Sequence, residues 1–356
     1  MRASPALRAA PFAAAPAHRL SLRALRSFPS HARPALSRPR SCVAAADSAA
    51  AASAMAPVPV TVSGEWLESR LGSPGLVVLD ASWYMPAAGR DGVTEYARER
   101  LPGALFFNLD GVKDEKTPLP HMLPPALAFA AACDALGVEE RSHVVLYDGA
   151  GLFSAARAWF TFRAFGHTRV SVLQGGLPLW RKEARRVEGG EPAHGAHAAS
   201  DAARAKQCEP PAGASPRYNA HLDTSLLFSL EQVLTCVVRD GSVQLMDARP
   251  VGRFQGTVPE PRAGLRGGHV PRSRSLPFAD VLTPDGCLKS ADELLGVFTG
   301  AGVVLDRPLA ATCGTGVTAC ILALAAASCG VGDVAVYDGS WTEWGGREDT
   351  PVETGA

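Results

Sequence analysis

Residues 308–324 read PLAATCGTGVTACILAL: a run of small apolar residues, a cysteine at its end, a loop punctuated by two glycines, then an uninterrupted apolar stretch. The run Pro308–Thr312 predicts a strand buried on both faces, as in a parallel sheet. Ala319–Ala327 predicts a buried helix, because it is apolar on every side and too short to cross a bilayer. Ligands of open parallel sheets bind beyond the carboxyl ends of the strands, which is where Cys313 stands. Gly314 and Gly316 permit φ > 0 and close approach, so the amides of Thr315, Val317 and Thr318 are free to curl around an anion, and the following helix points its positive end at the same place. Both effects favour a thiolate, the nucleophilic form of cysteine. The competing reading of the loop alone is a small residue in a tight turn. Cys320 and Cys329 fall within or at the end of the apolar helix and read as packing residues.

Working outward, the same strand, loop and helix occur earlier as HVVLYDGAGLFSAARAWF at residues 143–160, with Asp148 where the later copy has Cys313. Three further markers repeat: Asp80 in LVVLDASW with Asp247 in VQLMDARP, Pro102 with Pro271, and Trp180 with Trp344. All four pairs lie 164 to 169 positions apart, which predicts two similar domains. Short Val/Leu/Ala strands alternating with helical stretches (126–136, 155–165, 291–299 and 318–327) predict an α/β fold, each domain a mostly parallel sheet with helices on both faces. The expected organisation is a leader over residues 1–56, a first domain over 57–184, a Gly/Pro/Ala-rich linker over 185–217, and a second domain over 218–350.

With 35 basic and 35 acidic residues, 47% hydrophobic and 20% charged among 356, the chain has the profile of a soluble globular protein, which disfavours disorder, collagen and nucleic-acid coating. The charge is nonetheless uneven: eight arginines and no acid occupy the first 41 residues. Such an Arg- and Ala-rich, acid-poor start reads as an organelle transit segment, mitochondrial before chloroplast, with Met55 as an alternative start for a cytosolic form. The eight cysteines contain no CxxC pair, so neither a zinc site nor a disulfide framework is expected. No membrane or nucleic-acid partner is expected either.

The CGTGVT loop, the tandem halves and the closing YDGSWTEW resemble the two-domain rhodanese-type sulfurtransferases, in particular the plant 3-mercaptopyruvate sulfurtransferases. The resemblance implies two tandem rhodanese-like domains, of which the second is catalytic through a persulfide on Cys313, and the first, with Asp148, is not. It implies sulfur transfer from 3-mercaptopyruvate, less well from thiosulfate, to a thiol or cyanide, with release of pyruvate and with no metal or organic cofactor. Small-molecule thiols and thioredoxin are the implied acceptors. The small neutral residues Gly314 and Thr315 look like the mercaptopyruvate type, since thiosulfate-preferring relatives place basic residues there. Arg249 and Arg262 resemble the arginines that hold the substrate carboxylate, with Arg253 between them. Asp91, with Arg90 and Glu95, resembles the polar cluster contributed by the first domain. Where relatives carry His-Ile-Pro-Gly, this chain has Leu101-Pro102-Gly103, so a relay relying on that histidine is expected to be missing; Arg272 replaces a glycine and Gln174 an aspartate. His269 is expected to be structural, Asp80 and Asp247 to organise loops, and Trp83, Trp180, Trp341 and Trp344 to pack. These departures keep a second reading open, a catalytically weak persulfide carrier or regulatory binding module. A cysteine phosphatase is disfavoured because the loop lacks an arginine for phosphate.

Overall fold

Two five-stranded sheets of the same strand order organise the chain in the computed structural model, which describes residues 57–190 and 215–355. The first contains β1 (Thr61–Val62), β2 (Leu76–Asp80), β3 (Leu105–Phe106), β4 (His143–Tyr147) and β5 (Val170–Leu173), in the order β1-β5-β4-β2-β3. The second contains β6 (Leu227–Phe228), β7 (Gln244–Asp247), β8 (Arg274–Ser275), β9 (Leu309–Thr312) and β10 (Ala335–Tyr337), in the order β6-β10-β9-β7-β8. Every strand pair is parallel. The central strands β4 and β9 are the two that carry the repeated loop, and apart from the half-buried His143 that opens β4 every residue of both is buried, because helices cover both faces.

The helices of the first half are α1 (Gly64–Glu68), α2 (Gly92–Arg98), α3 (Ala126–Ala135), α4 (Ala155–Ala164) and α5 (Gly176–Lys182). Those of the second are α6 (Leu230–Gln232, continuing in wider turns over Val233–Arg239), α7 (Val251–Phe254), α8 (Ala291–Gly300), α9 (Ala319–Ser328) and α10 (Ser340–Trp344). The packing divides into three cores. One lies on the α1 and α5 side of the first sheet, around Leu67, Leu177 and Trp180. Another lies on the α6 and α10 side of the second, around Val233, Trp341 and Trp344. The largest is shared: α3 and α4 from the first half meet α8 and α9 from the second in one continuous cluster. This is why α9 has no polar face, since every residue from Ala319 to Ala326 is at most 3% exposed. Its alanines, and Ala155, Ala156 and Ala158 of α4, keep the two central helices close.

The leader lies outside the described residues, as does most of the expected linker. Its described margins are anchored: Glu188 bridges Arg100, and Trp180 Nε1 donates to the Arg186 carbonyl. Residues 218–223, expected to open the second domain, pack on the first. The Tyr218 ring sits edge-on to Phe129, and the Asp223 amide donates to the Ala164 carbonyl at 2.7 Å. Among the described residues no helix is long and apolar enough to cross a membrane, and no group of three His, Cys, Asp or Glu is placed to hold a metal.

Candidate active site

β9 delivers Cys313, 2% exposed, to the start of the loop, and α10 grips that loop from one side. The Trp341 amide donates to the Cys313 carbonyl at 3.0 Å; the Thr342 amide and hydroxyl both donate to the Gly314 carbonyl, at 2.9 and 2.7 Å. The Cys313 amide donates to Ser340 Oγ at 3.3 Å. Of the two loop glycines only Gly316 takes a positive φ, 77°. Gly314 serves close approach instead: a Cβ there would lie 3.1 Å from Arg253 Nη2. Thr315 and Val317 are buried in the loop, and Thr318 leads into α9, so the helix N-terminus faces Cys313 as the sequence requires.

The arginines sort differently from the expectation. Arg249, expected to hold substrate, is 1% exposed and fully engaged. Its guanidinium pairs with Asp247 (2.7 Å) and Glu260 (2.7 Å), donates to the Gly268 carbonyl (2.8 Å) and lies over the Trp341 ring at 4.2 Å. A cation with two buried carboxylates and no access has nothing left for a substrate anion. Arg253 is the accessible neighbour: it leans over Gly314, shares Glu260 with Arg249, and its side chain is 19% exposed. Arg262 makes no hydrogen bond or ion pair among the described residues and lines a cavity of about 340 Å³ whose other wall belongs to the first domain.

That wall holds Asp91, Arg90, Tyr84 and His121. Asp91 caps α2, its Oδ1 accepting the Thr94 amide at 2.7 Å. Arg90 pairs with Glu95 at 2.6 Å, donates to Tyr84 Oη at 2.9 Å, and holds the Glu95 carboxyl below the usual carboxylate range. Sequence reasoning passed over His121. It sits in the proline-bracketed segment TPLPHMLPP, is 6% exposed, and takes the left-handed conformation at φ 60°. Neither ring nitrogen makes an aligned hydrogen bond, Nδ1 lies 3.3 Å from Asp110 Oδ1, and the Trp83 ring sits edge-on at 4.5 Å. The contact with His121 holds Asp110 below the usual carboxylate range. Trp83, expected only to pack, also donates to Asp110 Oδ2 at 2.9 Å. Behind His121, Arg157 of α4 bonds the carbonyls of both His121 and Gly316, which joins the cavity wall to the cysteine loop. The signal for His121 in sequence is a polar residue in a proline-rich loop; nothing in the α4 pattern marks Arg157.

The departures from the family turn have local explanations. Arg100 and His269 make matching bridges, to Glu188 and Glu353, so the counterpart of His269 is Arg100 rather than Leu101. Arg100 donates to the Tyr96 and Gly190 carbonyls; His269 Nδ1 bonds the Phe254 carbonyl (2.9 Å) and the ring stacks on Phe254 at 3.7 Å. Both are structural. Arg272 takes φ 68°, as Gly103 does at 70°. Gln174 accepts the Leu288 amide at 2.8 Å from the other domain.

Residues 63–183 and 233–347 each match the rhodanese-like domain. The mitochondrial thiosulfate/3-mercaptopyruvate sulfurtransferase 1 of Arabidopsis thaliana is 46% identical over 299 residues, covering 82% of this chain and 78% of its own. The 3-mercaptopyruvate sulfurtransferase of Rattus norvegicus is 43% identical over 289 residues, covering 80% and 91%. The crystal structure of Escherichia coli SseA, described among the 3-mercaptopyruvate sulfotransferases, superposes with a TM-score of 0.67 at 35% identity, over 80% of this chain and 99% of SseA. With a repeated sheet, a cysteine loop on one copy and these relatives, the chain belongs to the rhodanese family, as a tandem of two rhodanese-like domains.

Proposed function

We propose that this protein is a 3-mercaptopyruvate sulfurtransferase, with thiosulfate as a secondary donor. The observation that carries the reading is Cys313 at the end of the central strand, in a loop of neutral residues with an accessible arginine leaning over it. The Cys313 thiolate attacks the substrate sulfur; the S–CH₂ bond breaks as the Cys313–S bond forms, and the electron pair leaves as the enolate of pyruvate. Loop amides and the α9 terminus stabilise charge on sulfur. Arg253 and Arg262, rather than Arg249, hold the carboxylate and keto group. His121, oriented by Asp110, takes the proton carried over on the new Cys313–S–SH group and delivers it to the enolate carbon, leaving pyruvate and the persulfide anion. An acceptor thiol or cyanide then removes the outer sulfur and regenerates Cys313, giving ping-pong kinetics. Reduced thioredoxin fits the acceptor role as a dithiol. Mitochondrial import rests on the Arg-rich first 41 residues and on the mitochondrial Arabidopsis relative. No observation favours the carrier reading, because Arg100, Gln174 and Arg272 each have a structural occupation.

The test is pyruvate release from 3-mercaptopyruvate with a thiol acceptor, wild type against Cys313→Ser, with thiosulfate and cyanide in parallel. Loss of at least roughly 10³-fold in the serine variant is expected. Equal rates in the two proteins overturn the reading.

A further inference from the structure

The two domains clasp each other reciprocally, and the clasp is charged on one side only. Before β3 is linked to α3, the first domain extends residues 117–125 across to the second, where the Leu123 amide donates to Asp338 Oδ2 at 2.8 Å. The second domain returns the gesture: the Leu288 amide donates to Gln174 Oε1 at 2.8 Å, and Gly286 meets Gly151 beside the Asp148 loop. Leu123 and Leu288 are repeat partners, as are Gln174 and Asp338. The difference lies in what stands behind the acceptor. Nine residues beyond Asp148 is Arg157; nine residues beyond Cys313 is Leu322. Gln174 is thus neutral opposite a leucine position, and Asp338 is an anion opposite a buried arginine.

Arg157 does more than neutralise Asp338. It is 2% exposed and pairs with Asp338 Oδ1 at 2.7 Å. Its Nη1 donates to the Gly316 carbonyl at 3.3 Å, and its Nη2 to the His121 carbonyl. Gly316 is the loop residue with positive φ, and a Cβ there would fall 3.0 Å from the Asp338 carbonyl and 3.2 Å from Arg157 Nη1. One planar guanidinium therefore fixes, at once, the loop that carries the sulfur and the segment that carries His121. We propose that Arg157, supplied by the domain without the cysteine, is a positioning residue for sulfur transfer at Cys313, with Asp338 as its anchor. It touches neither substrate nor reacting atoms. Its effect is to hold the persulfide loop in register with the facing wall, where an error of an ångström is costly to rate.

The proposal rests on the sulfurtransferase reading, and the experiment separates the two. Pyruvate release is measured in the full chain for wild type, Arg157→Lys and the double variant Arg157→Leu with Asp338→Gln. The double variant places at 157 and 338 the neutral residue types that the repeat carries at the equivalent positions, Leu322 and Gln174, so it is expected to fold with a near-normal melt. Its kcat is expected to fall at least roughly tenfold while KM stays within about threefold, since the arginines that bind substrate lie on other elements. Arg157→Lys, which keeps the ion pair but not the two-carbonyl geometry, is expected to fall between. A kcat within about twofold of wild type in the double variant overturns the proposal. So does a loss that matches the unfolded fraction, with a normal rate per folded molecule. If the double variant does not fold, Arg157→Lys is judged by the same criteria. Wild type without turnover overturns both readings; wild type with turnover and undiminished variants overturns only this one.

Discussion

The loops after β4 and β9 have the same place in the same sheet, yet one presents a thiol and the other fills itself. In the first domain the Asp148 carboxylate folds back into its own loop and accepts the amides of Ala150, Phe153 and Ala155, each at 2.8 Å. Amides at the same offsets from Cys313 belong to Thr315, Thr318 and Cys320. The first loop is therefore closed by its own carboxylate, whereas in the second the Cys320 amide turns to the Val317 carbonyl at 3.2 Å and the cysteine replaces the built-in acceptor. Buried Cys320 shows what the cradle does not do for a neighbour. Burial pushes its thiol up to about 12, and its Sγ bonds the Gly316 carbonyl at 3.1 Å.

The same asymmetry runs through the rest of the repeat and makes it testable. The largest effect is expected where the second domain carries Arg249 and the first carries Ser82, both two residues past the strand aspartate. Arg249→Met leaves Asp247 and Glu260 buried without their shared cation and should cost about 3–5 kcal/mol in urea unfolding. Arg253→Gln, four residues on, should cost at most about 1 kcal/mol of stability but lower kcat/KM roughly 10–100-fold. The opposite pattern would restore Arg249 as the substrate ligand.

Asp80 faces Ser82 rather than an arginine, and burial pushes it up to about 7 against the hydrogen bonds from Ser82. A carboxyl raised in the folded state binds its proton more tightly there than in the unfolded chain. Its contribution is therefore complete below about pH 4 and is lost as pH rises to about 7, on the order of 2–4 kcal/mol. Urea unfolding of Asp80→Asn at both ends of that window should show this part of the slope removed; an unchanged slope would show that the carboxyl ionises freely.

Asp148→Ala leaves three amides, of which that of Ala155 is buried, without an acceptor and should lower stability by about 1–3 kcal/mol while pyruvate release stays within about threefold. Loss of activity without loss of stability would mean that the first cradle takes part in the chemistry. The smallest effect concerns the turns at Gly103 and Arg272, both at positive φ. Arg272→Gly should relieve a left-handed side chain and stabilise by about 0.5 kcal/mol, net of its exposed bonds to the Val238 and Arg239 carbonyls.

Much of this was legible in order along the chain. The strand runs, the Asp148 and Cys313 loops and the repeat spacing are local features, and they placed the parallel sheets and the cysteine correctly. The arginines were not legible. Arg249 and Arg253 lie four residues apart on one short segment, and which is consumed depends on Glu260, Gly268 and Trp341 converging on the neighbour of Asp247. Arg157 is illegible for the same reason, since its partners Gly316 and Asp338 lie 159 and 181 residues away, and His121 gains its place only through Asp110, Trp83 and Arg157 folding around it.

The sequence by itself determined the repeat, the layered α/β architecture and the place of Cys313 in a glycine-bearing loop at a strand end, because backbone periodicity and glycine placement act over a few residues. The tertiary structure decided which charges are spent and which are free. Burial and pairing of an ionic group depend on what distant segments, of the same domain for Arg249 and of the other for Arg157, bring within about 4 Å, and no local pattern encodes that distance.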